Sequence, residues 1–211
     1  MAASAAGRFI TFDGGEGAGK TTQIARLAQA LRARGHEVVQ TREPGGAPGA
    51  DLLRAMLLEG RYHWPSLAEI LLHFASRADH VESVIRPALA RGAVVLCDRF
   101  ADSTMVYQGF GLGGDRARIA ELSSMIGLVP DLTLVLDVSV ATTQARLAAR
   151  GQAADRYESL GEAFFARIRD GFLAVARDNP DRCVVLSGER APDAVTEAIA
   201  SVIAARLPGL A

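Results

Sequence analysis

Gly14-Gly15-Glu16-Gly17-Ala18-Gly19-Lys20-Thr21 is the stretch on which the fold turns. It has the spacing Gly-x-x-x-x-Gly-Lys-Thr, and its flanks give that spacing meaning. RFITF, residues 8–12, precedes it and reads as a buried strand. TTQIARLAQAL, residues 21–31, follows it and reads as an amphipathic helix. A strand, a glycine turn and a helix in that order form a cradle for phosphate. Glycines let successive N–H groups point at phosphate oxygens, and the helix amino terminus adds partial positive charge. Lys20 is placed to reach a transferred phosphate, and the Thr21 hydroxyl to ligate Mg²⁺. Gly14, Gly15, Glu16, Gly17, Ala18, Gly19, Lys20, Thr21 and Thr22 are therefore expected to bind ATP. A carboxylate pointing into such a cradle would repel phosphate. Glu16 is expected to point away, toward an acceptor hydroxyl or a metal-bound water, or simply into solvent.

Working outward, short apolar runs alternate with helical stretches. Strands are expected at Arg8–Asp13, Glu37–Arg42, Ala93–Asp98, Leu132–Val138 and Arg182–Leu186. Most are continuously apolar, as in strands covered on both faces. Helices are expected at Thr21–Arg34, Ala50–Leu58, Ser66–Ala90, Arg116–Ile126, Val140–Arg150, Leu160–Arg177 and Pro192–Arg206, with Pro87 kinking or dividing the third. The alternation predicts an α/β fold: a five-stranded parallel sheet of the P-loop NTPase type, helices on both faces, and a short lid. Ligands then bind at the carboxyl ends of the strands.

The bulk properties narrow the function. At 211 residues, the chain suits a single domain with a small lid at about residues 146–157. A formal net charge of -1 gives no bulk attraction to nucleic acid or to an anionic membrane. No apolar run approaches a membrane span. The start MAASAAGR lacks the pattern of a signal peptide, which makes the cytoplasm the expected location. Cys97 and Cys183 each lie in an apolar run and read as buried thiols.

Four further segments should meet near the phosphate loop. Thr41-Arg42-Glu43-Pro44-Gly45-Gly46 follows the second strand. Phe74-Ala75-Ser76-Arg77 lies on the long helix. Asp98-Arg99-Phe100 closes the third strand, and Ser103-Thr104-Met105-Val106-Tyr107-Gln108-Gly109 follows. Asp98 is placed to hold Mg²⁺ through water. Arg99 offers a fork to an acceptor phosphate. Tyr107 and Gln108 offer a ring and an amide, suited to a sugar face and a base edge. Arg146 and Arg150 are four apart and share one helix face. Because the loop positions 15–18 carry no cation, this face is the natural source of extra positive charge for phosphoryl transfer. A solvated helix end remains the other reading.

Six motifs in order, covering essentially the whole chain, resemble the thymidylate kinases. They are the phosphate loop ending GAGKTT, then TREPGG, FASRADHV, DRFADSTMVYQG, PDLTLVLDV and an arginine-rich segment. The resemblance implies transfer of the ATP γ-phosphoryl group to dTMP, with Mg²⁺, in a homodimer. It implies that Arg99, helped by Arg54, binds the dTMP phosphate. Arg77 is implied to bond the thymine edge, with Gln108 and Thr104 nearby. Tyr107 is implied under the deoxyribose, and Ser103 beside the nucleotide. Glu16 and Glu43 are implied near the sugar and the metal-water network. The family's bacterial type uses lid arginines, here Arg146 and Arg150, in place of one in the loop. Lys20, Arg99, Arg146, Arg150 and Glu16 thus form the expected catalytic set, and Thr21 and Asp98 the metal set. One position departs from the family. The base-stacking phenylalanine four residues before the thymine-edge arginine is His73 here, with Phe74 beside it, so either ring is a stacking candidate. A stacking histidine would make base binding sensitive to pH. Other nucleoside monophosphate kinases, and P-loop ATPases or switches, share the phosphate loop. DRFADSTMVYQG together with Arg77 separates this chain from them.

Overall fold

The computed structural model describes residues 7–59, 62–150 and 156–210. Five strands form one parallel sheet: β1 Arg8–Asp13, β2 Val38–Arg42, β3 Val94–Asp98, β4 Leu132–Asp137 and β5 Cys183–Ser187, in the order β2-β3-β1-β4-β5. Each lies within one residue of its expected bounds. The central strand, β1, pairs Phe12 with Asp98 on one side and Asp13 with Val135 on the other. The register brings Asp13, Arg42 and Asp98 to one edge of the sheet, where the phosphate loop begins.

Both sheet faces are covered. On one, α1 (Lys20–Ala33) and α9 (Pro192–Arg206) bury Ile24, Leu31, Ile199 and Ile203 against Ile10, Phe12, Leu96 and Leu134. On the other, Phe9, Val95 and Cys97 pack on Val81, Ile85 and Phe100. Beside them, Val135 packs on Phe164, Ile168 and Phe172 of α8 (Glu162–Asp178). Double coverage explains the continuously apolar strands. Both cysteines are free and buried, as expected.

Two helical regions stand out: the first is divided near Pro87, as expected, and the second was not expected. The long stretch from residue 66 to 90 is divided into α3 (Ser66–His80), a wider π-helical turn (Val81–Ile85) and α4 (Arg86–Ala90). Pro87 lies in the first turn of α4. It has no N–H to donate one turn back, and the widened turn takes up the mismatch. Residues after β3 also form a helix, α5 (Ala101–Thr104), which continues as a π-helical turn over Met105–Gly111. Val106, Tyr107, Gly109 and Gly111 are poor helix formers. Packing of Val106 and Tyr107 against α8 overrides that local preference. The remaining α-helices among the described residues are α2 (Pro48–Leu58), α6 (Arg116–Ile126) and α7 (Val140–Arg150). Of the expected lid, residues 151–155 lie outside the described residues. No described helix is long and apolar enough to cross a membrane.

Candidate active site

A cavity of about 600 Å³ opens at the carboxyl edge of the sheet. The phosphate loop and the amino terminus of α1 form one wall. Gly14 turns there at φ 128°, and a Cβ would collide with the Leu136 carbonyl oxygen of β4. Only glycine permits that approach. Lys20 is buried and donates from Nζ to the Gly14 and Gly15 carbonyls at 3.2 and 2.9 Å. Burial and then the nearby Arg99 lower the proton affinity of its ammonium. The Thr21 hydroxyl donates to Asp98 Oδ2 at 3.2 Å. A hydroxyl and a carboxylate, side by side at the mouth of a phosphate loop, are the oxygen donors Mg²⁺ prefers.

Arg99 links this wall to the next. Among the described residues it is the one non-glycine with positive φ, at 70°. Such a conformation costs roughly 1–3 kcal/mol and persists where surroundings impose it. Here its N–H is held by the Phe12 carbonyl at 2.9 Å. Its guanidinium donates to Gly14 O at 3.1 Å, Ser103 Oγ at 3.2 Å and Glu16 Oε1 at 2.6 Å, and lies 4.7 Å over the Tyr107 ring. Glu16 also accepts from the Tyr107 hydroxyl at 2.9 Å. Burial acts to raise the Glu16 carboxyl, but Arg99 and Lys20 outweigh it and hold the group down at about 2. Glu16 thus points away from the phosphate cradle, held by Arg99 and Tyr107. Tyr107 also packs edge-on against Tyr157, Phe164 and Phe172, so the ring is at once core and cavity wall.

Asp13 was not anticipated. It ends β1 fully buried, accepts from Ser103 Oγ at 2.5 Å, and leaves Oδ2 without a partner. Burial, with the Asp102 carboxylate adding, pushes its carboxyl up to about 6. Ser103 therefore receives from Arg99 and donates to Asp13, beneath the cavity.

The far wall is a buried polar network. Arg77 donates to Glu43 Oε2 at 2.8 Å and Thr104 Oγ1 at 2.9 Å, and its Nη1 is buried without a partner. Phe74 and Phe100 flank the guanidinium at 4.8 and 5.2 Å. The other Glu43 oxygen pairs with His80 Nδ1 at 3.0 Å, and His80 Nε2 with Thr41 Oγ1 at 2.6 Å. Glu43 lines the cavity, and both its oxygens are engaged in holding Arg77 and His80. Gly46, at φ 93°, lets the loop close over His80, which a Cβ would strike. Arg54 donates to the Pro44 carbonyl at 2.6 Å and lines the cavity near Arg42.

Helix geometry sets His73 and Phe74 in different surroundings. Neighbours on a helix point about 100° apart, so one faces the cavity and the other does not. His73 lines the cavity, whereas Phe74 packs with Ile70 and Ile119. Phe74 is thereby corrected from ligand contact to core residue that supports Arg77. The expected pH sensitivity is also corrected. Burial, then Arg77 and Arg156, lower the His73 imidazole to about 3, so it is neutral across the working range.

The lid arginines divide. Arg146 donates to the Gly17 and Gly188 carbonyls at 2.8 and 3.0 Å, gripping the back of the phosphate loop. Arg150 is exposed on the cavity rim, close enough to help hold Glu16 ionised. Besides Asp13, the structure adds Glu69, His80, Arg156 and Tyr157, none anticipated. One signal was available: Glu69, His73 and Arg77 are spaced four apart and share a helix face.

Comparison with known proteins agrees with this architecture. A family model described as thymidylate kinase matches residues 12–199. The chain is 54% identical over 204 residues to a thymidylate kinase of Caulobacter vibrioides, covering 95% of this chain and 98% of the relative. It is 50% identical over 210 residues to that of Geobacter sulfurreducens, covering 96% and 99%. The crystal structure of thymidylate kinase from Ehrlichia chaffeensis superposes with a TM-score of 0.77 at 34% identity, covering 94% of this chain and 99% of that one. The chain belongs to the thymidylate kinase family.

Proposed function

We propose that this enzyme transfers the γ-phosphoryl group of ATP to dTMP, giving dTDP and ADP, and that the cavity residues divide the work as follows. The observation that carries the reading is Arg77: a buried guanidinium in the cavity wall whose Nη1 lacks a partner. A buried donor left unsatisfied is costly, and a base carbonyl would satisfy it. Thymine carries such a carbonyl at O4. Gln108 and Thr104 lie beside it, His73 faces the base, and Tyr107 stands below the sugar.

Arg99, with Arg54, receives the dTMP phosphate. Its fork is now spent on Glu16, Ser103 and Gly14, and an incoming phosphate competes for the same donors. Lys20 exchanges its loop carbonyls for the phosphoryl oxygens of ATP. The acceptor oxygen is already anionic, so no strong general base is needed, and positioning with charge neutralisation carries the rate. Thr21 and Asp98 would hold Mg²⁺, which would supply positive charge to offset that of the phosphates. Arg150 adds positive charge from the rim, and Arg146 fixes the loop from behind.

We further propose one catalytic domain acting as a homodimer in the cytoplasm. Supporting the dimer, Leu52 and Met56 of α2, Leu67 and Leu71 of α3, and Met125 of α6 are exposed apolar side chains. Light scattering of the purified chain tests it, with a single-chain mass as the opposing outcome. The activity is tested by ADP release with dTMP, dUMP, dCMP, dGMP and AMP in turn. dTMP is expected to give the highest kcat/KM, and equal turnover of dCMP or AMP overturns the assignment.

A further inference from the structure

Glu69 lies on α3 at 2% exposure, yet its carboxylate has three donors. Oε1 accepts from the Gln108 amide nitrogen at 3.0 Å and from the Tyr157 hydroxyl at 2.9 Å, and Oε2 accepts from Arg156 at 2.6 Å. The Tyr157 hydroxyl gives its one proton to Glu69. Its oxygen also accepts from the Gln108 amide nitrogen at 3.0 Å. His73 Nε2 approaches the same hydroxyl at 3.3 Å.

The chain of donors fixes the polarity of one amide. The Gln108 amide nitrogen faces two acceptors, a carboxylate oxygen and a phenol oxygen. Turning the amide over would set its carbonyl oxygen against the Glu69 carboxylate and leave both acceptors short of a donor. The Oε1 atom is therefore what Gln108 presents to the cavity. It is not among the buried polar atoms lacking a partner, and Gln108 lines the cavity beside Arg77, Thr104 and His73.

We infer that Glu69 is a specificity-determining positioning residue, which locks the Gln108 amide so that the pocket accepts a base carrying a ring N–H and rejects one carrying a bare ring nitrogen. The inference rests on the cavity being the dTMP site. Arg77 Nη1 and Gln108 Oε1 together present a donor beside an acceptor. That pair matches the O4 and N3–H edge of thymine. It mismatches 5-methylcytosine, which has the same size and the same methyl group but an amine and a lone pair on that edge. Glu69 touches neither base, and acts only through Gln108. Arg156, in neutralising Glu69, ties this edge reader to the chain that follows residue 155.

The test compares kcat/KM for dTMP and 5-methyl-dCMP in the wild type and in Glu69→Gln. A glutamine at 69 can offer either an acceptor or a donor to Gln108, so the lock is lost. The preference for dTMP is expected to fall at least about 10-fold, as for a buried polar edge whose match is relaxed. Tyr157→Phe, which removes one acceptor and keeps the carboxylate, is expected to lower it by about 3-fold. It stands in should Glu69→Gln fail to fold by circular dichroism. A merely structural role would lower kcat/KM for both substrates by one common factor. A preference unchanged within about 2-fold in the folded variants overturns the inference. Failure of the wild type to phosphorylate dTMP would instead strike the function proposed above.

Discussion

The two walls of the cavity are built in opposite ways. The phosphate wall is mostly backbone, laid down by eight consecutive residues from Gly14 to Thr21 and finished by Lys20 and Thr21. The opposite wall, which we propose reads the base, is mostly side chain, drawn from the loop after β2 (Glu43), from α3 (Glu69, His73, Arg77, His80), from the helix after β3 (Thr104, Gln108) and from residues following 155 (Arg156, Tyr157). Phosphate is the same in every nucleotide, so a rigid array of N–H groups suffices. A base is distinguished by the placing of single donors and acceptors, which needs side chains locked by neighbours. The difference predicts that damage to the phosphate wall costs rate. Damage to the base wall costs stability and selectivity together.

The sharpest break comes at Lys20. Lys20→Met should lower kcat about 100- to 1,000-fold while the fold persists, because one preorganised cation at the transferring group is lost. ADP release and a thermal melt measure the two sides. A collapsed melt would put Lys20 with the structural residues instead.

Arg77→Met should do the reverse. The Arg77–Glu43 pair is 3% exposed on both sides. Removing one partner of such a pair strands a buried charge at roughly 3–5 kcal/mol. Urea unfolding should show that loss, and adding Glu43→Leu to the same variant should restore part of it.

Arg150→Ala is expected to lower kcat about 10- to 100-fold with little change in dTMP KM, as befits a cation added at the rim. A change in dTMP KM alone would move Arg150 from the phosphoryl group to the acceptor side.

The smallest effect concerns His73. In the fold its imidazole is held at about 3, against 6.5 when free. The unfolded chain thus binds a proton that the folded chain refuses. Stability from this group is complete above 6.5 and falls as pH drops toward 3, by about 1.4 kcal/mol per unit. Asp13 works the other way. Raised to about 6 from 3.8, it takes up a proton on folding, so its contribution to stability grows as pH falls through 6. The two nearly cancel between pH 4 and 6. His73→Phe removes one side of the balance. Relative to wild type, the variant should gain about 1 kcal/mol per unit as pH falls from 6 to 5 in urea unfolding. Its dTMP affinity should follow the wild-type pH profile from 5.5 to 8, because neutral His73 has no proton to exchange there.

Legibility in the sequence followed the same division. Strand positions and the phosphate loop could be read because their signals are local: apolar runs, glycines and a lysine at fixed spacing. His73 and Phe74 could not be separated locally, since both rings sit on one turn and only the surroundings say which faces the cavity. The helix over residues 101–111 was missed because its glycines and its Val106 and Tyr107 disfavour a helix, and its stability comes from α8.

By itself the sequence determined the class of chemistry. A phosphate loop between a strand and a helix leaves little freedom in what it binds, because backbone geometry makes the site. Only the tertiary structure decided which buried groups serve that site. Asp13 under Ser103, Glu43 behind Arg77 and Glu69 behind Gln108 are separated in the chain by 90, 34 and 39 residues. A carboxylate in a sequence reads alike whether it is solvated on a surface or locked against a single donor. Burial makes the difference, because away from water each lone pair needs a partner, and that need fixes which way the partner points.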